Sequence, residues 1–193
     1  KLCEWRYPMN LFLAITGASG AIYPKLFLDF IKTRADINLH MAATTNAHRI
    51  FQDELGLKLD DYHPNLKTDR DFDVPSVSGS AKIDAMVVLP CSMGMIGRIA
   101  SGVSDCTITR AADTFLKERR KLILVPRETP YNLIHLRNMT TLTEAGALIL
   151  PATPSFYGGQ KTIDDVAKTV IARLLDHLNI ANDLSIRWNS NEK

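Results

Sequence analysis

The chain has 193 residues, 46% of them hydrophobic and 23% charged, enough to bury one ordinary globular core without disulfide or metal staples. A net charge of +2 is too small for a nucleic-acid surface, and no apolar run reaches membrane-spanning length. Its three cysteines (Cys3, Cys91, Cys106) fit neither a disulfide framework nor a zinc site, and no signal peptide is visible, which points to reduced thiols in a cytoplasmic protein.

Residues 1–10 read as an N-terminal extension, with Met9 a candidate natural start. Residues 11–15 form an apolar strand that stops at Thr16-Gly17-Ala18-Ser19-Gly20. Ile22, Leu26, Phe27, Phe30 and Ile31 then recur at helical spacing. Glycines in such a turn let the backbone approach a ligand, and the new helix points unpaired N–H groups at an anion. The turn is shorter than a dinucleotide fingerprint, so Gly17 and Gly20 equally suit a plain tight βα connection.

Residues 37–43 form a second strand, handing over at Thr44-Thr45-Asn46 to a helix at 47–55 that carries Glu54. Residues 58–80, with Pro64, Pro75 and Gly79 and little periodicity, read as a long loop. A buried strand at 85–89 runs into Pro90-Cys91-Ser92-Met93-Gly94, followed by a helix of small residues at 96–101 and another at 109–120. Strands at 122–125 and 147–150 flank a helix at 133–144. The last helix, 162–178, opens on a capping-box pair, Thr162 and Asp165.

This alternation, with continuous apolar strands, predicts a single α/β domain at 11–180, a parallel sheet with helices on both faces, and a tail at 181–193. Polar residues collect after the carboxyl ends of the strands, where open α/β sheets bind ligands: Ser19, Thr44, Ser92, Arg127-Glu128 and Tyr157. Other conspicuous residues have plainer readings. Cys91 reads as a buried small residue, His135 as a locally bonded helix residue, and Arg110 with Asp113 as a helical ion pair. Trp5 and Trp188 read as interface anchors.

The stretches TGASGAIY (16–23), LPCSMG (89–94), LKERRKLILVPRETP (116–130) and EAGALILPATPSFY (144–157) resemble the UbiX/Pad family of flavin prenyltransferases. The likeness runs from about residue 11 to 180 and implies a Rossmann-like, flavodoxin-like fold. It also implies metal-independent transfer of a dimethylallyl group from dimethylallyl monophosphate to N5 and C6 of reduced FMN. The product, prenyl-FMN, serves a UbiD-type decarboxylase, and members commonly assemble as dodecamers.

Matched positions imply FMN contacts at Gly17, Ala18, Ser19, Thr44, Ser92, Met93, Gly94, Met95 and Arg127. They imply a donor-phosphate site of Lys117, Tyr157 and Arg173, and a catalytic set of Ser19, Glu54, Lys117, Arg127 and Glu128, in which Glu54, Glu128 and Ser19 manage protons. Cations and donors of this kind suit the departure of an allylic phosphate. Thr44, Pro24 and Gly94 depart from the usual family residues. The alternatives are a flavin-dependent cysteine decarboxylase, whose PASANT-like stretch is here Pro-Cys-Ser-Met-Gly-Met (90–95), and an FMN carrier subunit of a decarboxylase.

Overall fold

Six parallel strands make one sheet in the computed structural model, which describes residues 8–187. In chain order the elements are β1 (Met9–Ile15), α1 (Ile22–Ile31), β2 (Ile37–Ala43), α2 (Thr45–Leu55), β3 (Lys67–Thr68), β4 (Ala85–Cys91), α3 (Met93–Ala100), α4 (Thr107–Lys117), β5 (Lys121–Pro126), α5 (Leu133–Glu144), β6 (Leu148–Ile149) and α6 (Ile163–His177). The order across the sheet is β3-β2-β1-β4-β5-β6. The chain therefore builds outward from β1 on one side, then crosses to β4 and builds the other way. The strand order reverses between β1 and β4, and a crevice at their carboxyl ends follows from that reversal.

Side chains alternate across each strand, and both faces are covered. Leu11, Leu13 and Ile15 of β1 pack with Phe27 of α1, Phe51 of α2 and Ile171 and Leu174 of α6. Phe12 and Ala14 point the other way, into a cluster with Ile96 of α3 and Ile108 and Phe115 of α4. This double burial is why the strands read as unbroken apolar runs.

Several boundaries differ from the sequence-based expectation. β1 begins at Met9, two residues before the expected strand, because Met9 is buried and pairs with Ile37. The stretch read as a plain loop at 58–80 holds two short 3-10 turns, Leu59–Tyr62 and Pro75–Val77, and the edge strand β3 paired to Ala42 and Ala43. α3 starts at Met93 rather than residue 96, because the Ser92 hydroxyl caps it by accepting from Met95 N. α4 runs two residues earlier than expected and stops at Lys117, ahead of Arg119 with its φ of 57°. The Thr162–Asp165 capping box on α6 forms as read. Cys3, Trp5 and Trp188 lie outside the described residues.

Candidate active site

The crevice between β1 and β4 opens into a cavity of about 400 Å³, a usual size for a small-molecule site. Its floor is fixed by one hydroxyl: Thr16 Oγ1 donates to the Pro90 carbonyl at 2.8 Å and accepts from Ser92 N at 2.8 Å, tying the exits of β1 and β4 together. Two helices start on its walls. Thr44 caps α2, accepting from Ala47 N at 3.2 Å, and Ser92 caps α3, accepting from Met95 N at 3.3 Å. The first turns of α2 and α3 therefore offer N–H groups to the cavity. A Cβ added to Gly17 would lie 2.5 Å from Asn46 Cβ, so only glycine lets β1 pass that close to α2.

Of the residues expected to contact a flavin, Gly17, Thr44, Ser92, Gly94 and Met95 line this cavity together. Ala18 and Met93 flank it with buried side chains, Met93 packing into the core on the α3 side. Ser19 and Arg127 stand outside its lining, at the turn into α1. Sequence reading missed Thr16, Asn46, Asp69, Arg70 and Arg98, all of which line it.

At the adjacent turn, three residues distant in sequence converge. Glu54, near the end of α2, accepts from Gly20 N at 3.0 and 3.2 Å and from Ala21 N at 2.7 Å. Arg127 Nε donates to the Ser19 carbonyl at 2.8 Å, just beyond β5. Burial pushes the Glu54 carboxyl up. The Ser19 hydroxyl, the two backbone N–H groups and the Arg127 charge outweigh it and hold the group below its ordinary value. The expectation that the start of α1 faces a bound anion is thus corrected in one respect: the anion there is the protein's own Glu54. Glu128 follows on the exposed loop, its Oε1 accepting from Thr129 N at 3.0 Å. Tyr23 O–H donates to the Ala152 carbonyl at 3.4 Å, tying α1 to the loop beyond β6. Burial raises the Tyr23 phenol against the lowering effect of Arg127.

Tyr157 and Arg173 share a second cavity of about 390 Å³, which has no lining residue in common with the first. Asp176 organises it, bonding Arg173 Nη1 at 3.1 Å and Arg187 Nη2 at 2.7 Å. Burial pushes the Asp176 carboxyl up, but Arg187, Asn182 and Arg173 together hold it low. Arg187 and Asp176 were not foreseen.

Lys117, expected to join Tyr157 and Arg173, is not brought to them within one chain. It sits at the end of α4, against Gly79 and ion-paired to Glu118. That is the amino edge of the sheet, where β5 begins four residues later. The minor readings hold for Cys91, which is buried with its thiol pushed up by burial, and for Arg110–Asp113, paired at 2.9 Å. His135 is held in a capping box with Asn132, whose Oδ1 accepts from His135 N at 2.8 Å.

Known proteins match this arrangement. The Flavoprotein family model matches residues 6–175. A flavin prenyltransferase UbiX of Methanocaldococcus jannaschii is 45% identical over 187 residues, covering 93% of this chain and 98% of the relative. A UbiX crystal structure in complex with FMN and dimethylallyl pyrophosphate superposes with a TM-score of 0.90 at 35% identity, covering 96% of this chain and 100% of that one. A dodecameric FMN-dependent UbiX-like decarboxylase of Escherichia coli O157:H7 superposes equally well, with a TM-score of 0.90 at 34% identity, covering 94% of this chain and 100% of that one. The chain belongs to the Flavoprotein family and, within it, to the UbiX flavin prenyltransferases. The cavity fits a flavin mononucleotide on its own evidence: it is walled by glycines, opened by two helix starts and carries two arginines.

Proposed function

We propose that the protein transfers a dimethylallyl group from dimethylallyl monophosphate to reduced FMN, making prenyl-FMN. The allylic C–O bond breaks and its electron pair leaves with phosphate as N5 bonds the prenyl C1 and gives up its proton. The prenyl C=C then takes up a proton, and C6 bonds the resulting tertiary carbon and releases its own proton, so phosphate is the only other product. Reduced FMN supplies the nucleophilic nitrogen and ring carbon. The observation that carries this reading is the pairing of two separate cavities, one glycine-walled at the switch point and one lined by Tyr157 and Arg173. An FMN carrier needs only the first.

In this reading Gly17, Ala18, Ser19, Thr44, Ser92, Met93, Gly94, Met95 and Arg127 hold the flavin. Arg173 and Tyr157 bind the donor phosphate, Arg173 as a bidentate donor. Lys117 serves a neighbouring copy's site, because its own chain holds it at the opposite edge of the sheet. Glu54, held anionic at the Ser19 turn, orients the Ser19 hydroxyl, and exposed Glu128 exchanges protons with the departing phosphate. The assembly is a homo-oligomer, a dodecamer like the Escherichia coli relative, and the product passes to a UbiD-type decarboxylase. The protein works in the cytoplasm, where buried Cys91 and Cys106 stay reduced. Among the described residues no helix is long and apolar enough to cross a membrane.

The test is an anaerobic incubation with reduced FMN and dimethylallyl monophosphate, read by mass spectrometry. A flavin heavier by one prenyl unit, absent with Glu128→Gln, is the expected result. FMN returned unmodified with both mono- and diphosphate donors would refute it.

A further inference from the structure

We infer that Arg98, with Arg70 beside it, reads the terminal phosphate of the bound flavin and makes the cavity select FMN over riboflavin, a step that rests on the cavity being a flavin site. The start of α1 is the first place a nucleotide phosphate would be sought in this fold. Here it is closed to a second anion, because Glu54 already accepts from Gly20 N and Ala21 N, and its carboxylate would repel a phosphate dianion. The phosphate must therefore lie elsewhere along the same crevice.

The opposite wall of the cavity supplies what α1 cannot. Arg98 stands one turn beyond Gly94 on α3, so the two share a helix face. Gly94 has open space where a side chain would project, and both residues line the cavity with Arg70. Asp105 holds the two arginines without cancelling both. Its carboxylate pairs with Arg98 Nη2 and the Cys106 thiol also lies against that guanidinium, so part of the five-donor fork is engaged, while the Asp105 backbone carbonyl accepts from Arg70 Nη1 at 3.3 Å. Asp69 lines the cavity and Asp105 stands behind Arg98, so two carboxylates balance the two arginines and the phosphate is read by guanidinium N–H donors rather than by excess charge. The first turns of α2 and α3 add N–H donors to the same space. Arginine suits this task because its planar fork matches phosphate oxygens.

The experiment titrates apoprotein with FMN and with riboflavin, which lacks only the phosphate, and follows flavin fluorescence at two salt concentrations. Wild type is expected to bind FMN much more tightly than riboflavin. Arg98→Ala is expected to weaken FMN binding by about tenfold or more and to flatten its salt dependence, while leaving riboflavin affinity unchanged. Unchanged riboflavin binding is also the check that the variant is folded. The double variant Arg98→Ala/Asp105→Asn removes the carboxylate that the single change unmasks and is expected to keep the deficit. Arg98→Lys is expected to recover part of it. Equal loss for both flavins, or full FMN affinity in the double variant, would overturn the inference. If wild type makes prenylated flavin but does not distinguish FMN from riboflavin, the inference falls and the transferase reading stands. If wild type binds neither flavin, both fall.

Discussion

Gly17→Ala is the sharpest perturbation of the cavity. An alanine Cβ would come to 2.5 Å from Asn46 Cβ, whereas carbon atoms in contact prefer about 3.5–4.0 Å. The atom it meets is a Cβ, fixed to the first turn of α2 and unable to swing aside. Relief requires α2 to move by about 1 Å against β1, which strains the Thr44 cap on Ala47. Overpacking of this kind costs about 1–3 kcal/mol. Gly94→Ala is the matched control: it also lines the cavity, its Cβ would meet nothing, and alanine in a helix is favoured over glycine by about 1 kcal/mol. Urea unfolding of the apoproteins is therefore expected to lower the midpoint for Gly17→Ala and hold or raise it for Gly94→Ala, at unchanged slope. FMN affinity should fall at least tenfold in Gly17→Ala, because Gly17, Thr44 and Asn46 all line the displaced wall. Wild-type stability and FMN affinity in Gly17→Ala would refute the reasoning.

Glu54→Gln tests the anion at the α1 turn. The Glu54 carboxyl is held below its ordinary value in the folded state, so its contribution is present above the unfolded carboxylate pKa and is lost as pH falls through the folded value. Because the side chain is exposed and screened, the difference from wild type should be about 0.5–1 kcal/mol at neutral pH. It should begin to shrink as pH falls below the ordinary glutamate value of about 4.3 and be gone once pH is below the lower folded value, and a pH-independent difference would count against the assignment. Arg173→Ala should raise the KM for dimethylallyl monophosphate by about tenfold and leave FMN affinity untouched, since the two cavities share no lining residue. A parallel loss of FMN binding would contradict that separation. Finally, Lys117→Ala and Arg173→Ala chains, each impaired alone at donor concentrations below KM, should regain activity there when co-assembled, because some sites would then receive both groups intact from different copies. Failure to recover activity in verified mixed oligomers would place Lys117 outside the site.

The sheet was legible because β1, β4 and β5 are buried on both faces, which leaves apolar runs in the sequence, and because β2 is buried where it meets the site, at Met41–Ala43. β3 was not, because Lys67–Thr68 carries no apolar signal and is a strand only through its pairing with Ala42 and Ala43. Gly17, Thr44 and Ser92 were legible because each follows a strand end at a turn or cap. Arg70 was hidden in a stretch without periodicity. Arg98 gave no signal either, since one charge on a helix of small residues does not say which face of α3 meets the cavity. The resemblance marked Glu54 as acidic machinery, but its partners Gly20 and Ala21 lie 34 and 33 residues back, a pairing that no local pattern encodes.

The placement of Lys117 has a consequence for how water is kept from the reaction. β5 spans six residues, so its two ends are separated by about 17 Å, and a lysine side chain covers only a fraction of that. Lys117 lies beyond the start of β5, and Arg127 and Glu128 lie beyond its end. The single chain therefore leaves the carboxyl edge open to solvent, with Glu128 exposed there. The same edge carries an unusual load of exposed apolar side chains. Leu133 and Ile134 are 59% and 66% exposed at the start of α5, and Phe156, next to Tyr157, is 72% exposed. Apolar groups so placed favour burial against another copy. A copy docked there would cover the carboxyl edge, bring in the missing cation and exclude water from an allylic group that water would otherwise capture. Loss of assembly, through Ile134→Lys or Phe156→Lys, should therefore abolish prenyl transfer while leaving FMN bound, with some donor consumed by hydrolysis instead.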